Sequence, residues 1–102
     1  MIFPLNYAFS SATADADPGS GNFRLNNADQ SAATQLFIDD EAFGALDVQD
    51  VIRLFDDGSS GIRSLLFIEV DGDNRGLVVS VNADNVEVAG YHKLTVTVIA
   101  EL

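Results

Sequence analysis

The chain has 102 residues, 47% of them hydrophobic, and 16 acidic against 5 basic residues, for a formal net charge of -11. That composition suits one folded domain over residues 1–102 and excludes wholesale disorder, and no apolar run approaches the roughly 20 residues that would span a bilayer. Phosphate contacts need Lys and Arg to displace counterions, so the few, scattered cations (Arg24, Arg53, Arg63, Arg75, Lys93) argue against nucleic acid and anionic membrane surfaces as partners.

Leu5-Asn6-Tyr7-Ala8-Phe9 alternates with Leu5, Tyr7 and Phe9 on one face, the period-2 pattern of a half-buried strand. Ser10 to Asn22 reads as a loop of small residues, with an acidic Asp15-Ala16-Asp17-Pro18-Gly19 turn. Phe23-Arg24-Leu25 follows as a short strand, then a polar loop through Ala33, then a third strand over Thr34–Ile38, ended by Asp39-Asp40-Glu41. Asp47 to Phe55 is the one predicted helix: Val48, Val51, Ile52 and Phe55 fall on one face, Asp47 is placed as N-cap, and Asp50 and Arg53 suit the helix dipole. The Asp56-Asp57-Gly58-Ser59-Ser60-Gly61 stretch stops it.

Ile62–Val70 and Gly76–Asn82 read as two strands of a hairpin around Asp71-Gly72-Asp73-Asn74-Arg75. Val86–Val88 adds a short strand and Gly90 a turn. His92–Ala100 is the last strand, with Leu94, Val96 and Val98 on one face and Lys93, Thr95, Thr97 and Ile99 on the other. The predicted fold is mainly β: a mostly antiparallel two-sheet sandwich or flattened barrel of six to seven strands, with one short helix.

The chemistry-bearing residues are sparse. There is no cysteine, so disulfides and thiolate metal sites are absent and stability rests on the packed core. His92 is the single histidine. It is too few for a closed zinc site and has no serine beside it from which a triad could be argued, so it reads as a surface or turn residue. Carboxylates are plentiful at Asp15/Asp17, Asp39-Asp40-Glu41 and Asp71/Asp73. Calcium is the metal whose ligand chemistry suits them, but the spacing of a calcium loop is missing and each cluster reads as a solvated turn. A glycosidase pair needs a cleft and sugar-stacking surface, and the chain has no tryptophan. No enzyme activity, metal or cofactor is expected.

The order of these segments, from FSSATADADPGSGNFRLNN at Phe9–Asn27 through the acidic helix and the hairpin to Gly90-Tyr91-His92-Lys93-Leu94-Thr95-Val96-Thr97-Val98, resembles a β-rich module of tail-fibre, head-fibre and other appendage proteins of tailed bacteriophages. The likeness spans nearly the whole chain. It lies in the order of the pieces, each ordinary alone. The resemblance implies a non-enzymatic virion structural protein, assembled in the host cytoplasm and mounted on a fibre, collar or capsid. Such appendages are usually homotrimers, attached to other virion proteins, and some bind host surface polysaccharide. The chain begins almost directly in the module and ends at Leu102, so a capsid decoration (cement) protein, an adaptor or a fragment of a longer fibre are alternatives.

Two surfaces are candidates for contact. Residues 1–6 carry an apolar cluster (Ile2, Phe3, Leu5) expected to dock on a neighbouring subunit as an N-terminal tail. Arg63, Leu65 and Phe67, opposite the expected core face of the long strand, form a row too apolar for solvent alone, suited to a subunit interface or a second covering layer. Under a carbohydrate-binding reading, Tyr7 and Tyr91 are the aromatic residues that would contact glycan.

Overall fold

A computed structural model describes residues 2–42, 44–54, 64–70, 75–83 and 85–101; the side chains of residues 2–5, 64–67, 69, 70 and 75 lie outside that description. The protein is mainly β, with 51% of residues in strands. The strands are β1 (Ile2–Phe9), β2 (Asn22–Leu25), β3 (Gln35–Asp39), β4 (Glu41–Ala42), β5 (Leu46–Asp47), β6 (Ser64–Val70), β7 (Arg75–Val81), β8 (Val86–Val88) and β9 (Tyr91–Glu101). Helix α1 covers Gln49–Arg53, and a 3-10 turn covers Gln30–Ala32.

The main sheet runs β3-β2-β1-β6-β7-β9-β8, and β3 also pairs with β9, so the pairing closes on itself. Two long strands make that closure. β1 pairs with β6 along Ile2–Tyr7 and with β2 at Ala8 and Phe9. β9 pairs with β3 along Tyr91–Thr95 and with β7 from Val96 to Glu101. Each therefore serves one sheet and then the other, which is the flattened-barrel form of the expected fold. The short β4–β5 pair stands apart.

The pairings are antiparallel except at β1, which is parallel to both β2 and β6. A parallel neighbour needs a crossover of about a dozen residues or more, and the Ser10–Gly21 loop supplies one between β1 and β2. Ala8 N–H donates to Gly21 O at 2.8 Å and Ser10 N–H to Phe23 O at 2.8 Å, fixing the register at both ends of that loop.

The N-terminal segment is not a free tail. Ile2 through Asn6 lie in β1, opposite Leu65 through Glu69 of β6. An extended apolar segment satisfies its backbone groups best inside a sheet, and from Ile2 onward the segment expected to dock as a tail is a strand of this sheet.

Alternation places the core. Leu36 and Ile38 of β3, Phe23 and Leu25 of β2, Ile68 of β6, Leu77, Val79 and Val81 of β7, and Leu94 and Val96 of β9 are all buried. Partner residues share these rows: Leu36 faces Leu94 and Leu25, and Val79 faces Leu66 and Val98. A bulge interrupts β9, where Val78 and Val79 of β7 face Ala100 and Val98. Ile99 is thus the extra residue, and it is exposed.

Helix α1 is shorter than predicted. Asp47 pairs with Glu41 in β5, so a strand claims the expected cap, although Asp47 Oδ1 still accepts from Gln49 N–H at 3.0 Å. Ile52 is the buried residue of α1, with Val48 before it also buried and Val51 packed partly against the core. Phe55, Asp56–Gly61 and the hairpin tip at Asp71 and Asp73 lie outside the described residues.

Candidate functional site

The Ser10–Gly21 loop folds as a strap over the outer face of β2, β3 and β9. Successive strand residues alternate faces, so Phe37, Asp39, Tyr91 and Lys93 point away from the core that Ile38 and Leu94 fill, and in register Phe37 sits opposite Lys93 and Asp39 opposite Tyr91. Phe37 is nevertheless buried, with its ring edge-on to Tyr91 at 6.3 Å between centroids. The strap is held there by side chains. Tyr91 Oη donates to Asp15 Oδ1 at 2.6 Å, Lys93 Nζ to Asp15 Oδ2 at 2.9 Å, and Arg24 Nη1 to Ala14 O at 3.3 Å. Tyr91, the larger cause, and Lys93 hold the Asp15 carboxyl below its ordinary range. The same bond raises the Tyr91 phenol.

At its far end the strap forms an acidic cleft of about 370 Å³, lined chiefly by Asp17, Ser20, Asp39, Asp40, Glu41 and Asp47. Asp17 Oδ1 accepts from Gly19 N–H at 2.8 Å, a local turn that Gly19, at φ 92°, permits. Ser20 Oγ donates to Glu41 Oε1 at 2.7 Å, and Gly21 N–H to Glu41 O at 2.9 Å. Asp39 is only 5% exposed. Its Oδ2 accepts from Glu41 N–H at 2.9 Å, and Asp17 lines the same cleft. Burial above all, reinforced by Asp17 and Asp40, pushes the Asp39 carboxyl up to about 6. From the core side, Tyr7 Oη donates to Asp39 O at 2.8 Å. Burial and the charges of Asp39 and Asp40 move the Tyr7 phenol far above its ordinary range.

Behind the cleft stands His92. It is 1% exposed, a correction to its reading as a surface histidine. It shares the inward row with Leu94 and Ile38, because Tyr91 and Lys93 take the outer one. Nδ1 lies 2.8 Å from Asp40 Oδ1 and Nε2 lies 3.4 Å from Glu87 Oε1, close contacts but off hydrogen-bond alignment. Arg53 extends the chain outward, with Nη2 2.8 Å from Glu87 Oε1 and Nη1 3.0 Å from Asp50 Oδ1. The network ties α1 and β8 to the end of β3.

The candidates read from the sequence do not converge here. Tyr7 and Tyr91 are 0% and 6% exposed, with both hydroxyls bonded inside the fold. Neither presents a stacking surface, which corrects their proposed glycan role. Ile2, Phe3 and Leu5 are strand residues of β1; Leu65 and Phe67 lie in β6 opposite Ser80 and Val78; Arg63 lies outside the described residues. Ser80, on the Leu65 row, is buried within the chain.

What sequence reading missed is that Asp17 and Asp39 line one cleft and that His92 is buried. The acidic turn and the Asp39-Asp40-Glu41 cluster were both visible, but nothing local says that one folds onto the other. Asp39 is buried with one oxygen taken by a backbone N–H, so it is not presented as a free acid. Among the described residues no group of three or more His, Cys, Asp or Glu side chains is arranged to hold a metal ion, and no helix is long and apolar enough to cross a membrane. Compared with protein-family models, curated proteins and solved structures, the chain matches none.

Proposed function

We propose that this chain is a non-enzymatic structural module of a tailed-bacteriophage virion, one that associates with copies of itself, as a trimer, and attaches to other virion proteins. The observation that carries the self-association is the surface. On a chain of net charge -11, Leu46 is 62%, Ile99 53% and Val86 52% exposed. Large apolar side chains left in water on an otherwise acidic module suit contact with a partner. The virion assignment rests on the resemblance in segment order. The fold is mainly β, as such a module would be. Capsid decoration or an adaptor role uses the same surfaces and stays within this reading.

The test is the molar mass in solution, by light scattering behind a sizing column. A mass three times that of the 10.9 kDa chain is expected, and Ile99→Asp or Val86→Asp is expected to lower it while the β signal in circular dichroism persists. A wild-type monomer at every concentration tested would overturn the trimer. Genes flanking its own that encode neither capsid nor tail proteins would overturn the virion assignment separately.

A further inference from the structure

The single histidine of the chain sits between two carboxyls inside the fold. His92 is 1% exposed, with Nδ1 2.8 Å from Asp40 Oδ1 and Nε2 3.4 Å from Glu87 Oε1. Among the described residues no other group hydrogen-bonds either ring nitrogen or Asp40 Oδ1. A neutral imidazole has one N–H and one lone pair; the imidazolium has a donor at both nitrogens. With a carboxyl oxygen at each nitrogen, the protonated ring can donate to both, whereas the neutral ring must turn a lone pair on one of them. We propose that His92 is a proton-operated latch on the edge strand β8. Protonated, it bridges Asp40 and Glu87 and fastens β8 to the end of β3; neutral, it keeps Asp40 and lets Glu87 go.

The surroundings decide which contact yields. Asp40 is fixed through its backbone, since its N–H donates to Gly90 O at 3.1 Å and its carbonyl accepts from Val48 N–H at 3.0 Å. Its carboxyl is also the nearer of the two. Glu87 is half exposed and has a second partner: Arg53 donates to Oε1 through Nε at 3.0 Å and Nη2 at 2.8 Å. Arg53 above all, with His92 adding to it, holds the Glu87 carboxyl below its ordinary range. Glu87 thus keeps its charge and its arginine whatever the ring does. The neutral ring then retains its proton on Nδ1, toward Asp40, and faces Glu87 with the Nε2 lone pair. Glu87 and His92 are register partners across β8 and β9. Their contact therefore bears on a strand of three residues at the end of the sheet, beside the exposed Val86.

The charged groups around the ring come from every element packed there. Asp40 and Glu87 touch it. Arg53 and Asp50 of α1 stand behind Glu87, and Arg53 bonds both acids. Asp17, Asp39, Glu41 and Asp47 lie beyond Asp40 along the cleft. Tyr7 of β1 gives its hydroxyl to Asp39 O. Tyr91 and Lys93 flank His92 in sequence but point to the other face, where both bond Asp15. A proton added to the ring therefore meets an acceptor at each nitrogen.

The test uses the whole chain, labelled with ¹³C and ¹⁵N and titrated by NMR from pH 4 to 9. The ring nitrogens of His92 report its charge and, once neutral, its tautomer. A neutral ring with its proton on Nδ1 is expected, the reverse of the form that prevails in free histidine, because the neighbour of each nitrogen sets the choice. The Val86, Glu87 and Val88 amides are expected to follow the midpoint of the ring, while Leu36 and Val79 in the core stay unmoved. The population with β8 loosened is expected to grow by up to about tenfold per pH unit above that midpoint, the limit for one proton. Glu87→Gln places an amide opposite Nε2 that can donate to the lone pair or accept from N–H. Its β8 amides are expected to ignore the ring titration. A neutral ring protonated on Nε2 would overturn the latch, as would a ring that keeps one charge state throughout. So would β8 amides indifferent to the ring in the wild type, or still following it in Glu87→Gln. None of these outcomes depends on the oligomer or on the virion assignment.

Discussion

Gly90 leaves open the space that the Asp17 carboxylate occupies: a methyl group at position 90 would meet Asp17 Oδ2 head-on. Gly90 is also at φ 90°, outside the range that L side chains readily adopt. The turn before β9 and the acidic turn of the strap, far apart along the chain, are shaped to each other.

Gly90→Ala is expected to destabilise the protein by about 1–3 kcal/mol, from backbone strain and the collision together. Urea denaturation measures it. Adding Asp17→Ala to Gly90→Ala is expected to recover the collision share of that loss and leave the strain. Losses that simply add would mean that the two positions do not touch.

Asp39 gives a second outcome in stability. A carboxyl raised to about 6 in the fold, against 3.8 otherwise, binds more protons folded than unfolded between those values. Its contribution is full below about 3.8 and is lost as pH rises through about 6. Asp17→Asn removes the repulsion that develops. It is expected to be more stable than wild type at pH 7, by about 1–2 kcal/mol after allowance for solvent around Asp17, and to show a smaller difference at pH 4.5. Denaturant midpoints at the two pH values check it.

Asp15 works with the reverse sign. Its carboxyl is held below 3.8 by Tyr91 and Lys93, so its contribution is present at neutral pH and is lost as pH falls through its lowered value. The partner reports the same contact. In Asp15→Ala the Tyr91 phenol, raised by this hydrogen bond, is expected to ionise at lower pH than in wild type. Ultraviolet difference titration would show it, with Tyr7 remaining un-ionised longer.

Tyr7→Phe keeps the ring, which packs edge-on against Phe23 at 6.5 Å between centroids, and deletes the bond to Asp39 O. It is expected to cost about 1–2 kcal/mol, because a buried carbonyl loses a donor. An unchanged melting curve would mean that another donor replaces the hydroxyl.

His92→Ala is expected to cost about 2–4 kcal/mol. It leaves a cavity beside Leu94 and an Asp40 oxygen without its neighbour. Asp40→Asn added to it is expected to return part of that loss. Full additivity would show that the 2.8 Å approach carries no coupling.

The strands were legible because the signal for them is local. Period-2 alternation in Leu77-Val78-Val79-Ser80-Val81 and in Leu94-Thr95-Val96-Thr97-Val98 assigned inner and outer faces correctly, and Phe23 and Leu25 were rightly put together. The same rule led astray where the alternation runs past the end of a face. His92 falls on the inward row of β9, yet a lone polar residue at a strand start reads as exposed. The acidic run Asp39-Asp40-Glu41 reads as a solvated turn, although Asp39 is buried.

By itself, then, the sequence determined most of the apolar core, the approximate bounds of β6, β7 and β9, and the absence of any thiol chemistry, all of which depend on residues close in the chain. The tertiary structure alone decided that β1 runs parallel to β2 and β6, that β9 joins both sheets, that Asp15 reaches Tyr91 and Lys93, and that Asp17 and Asp39 line one cleft. Those relations join residues distant along the chain. Their energy comes from burial and from paired polar groups that exist only once the barrel has closed, so no local pattern encodes them.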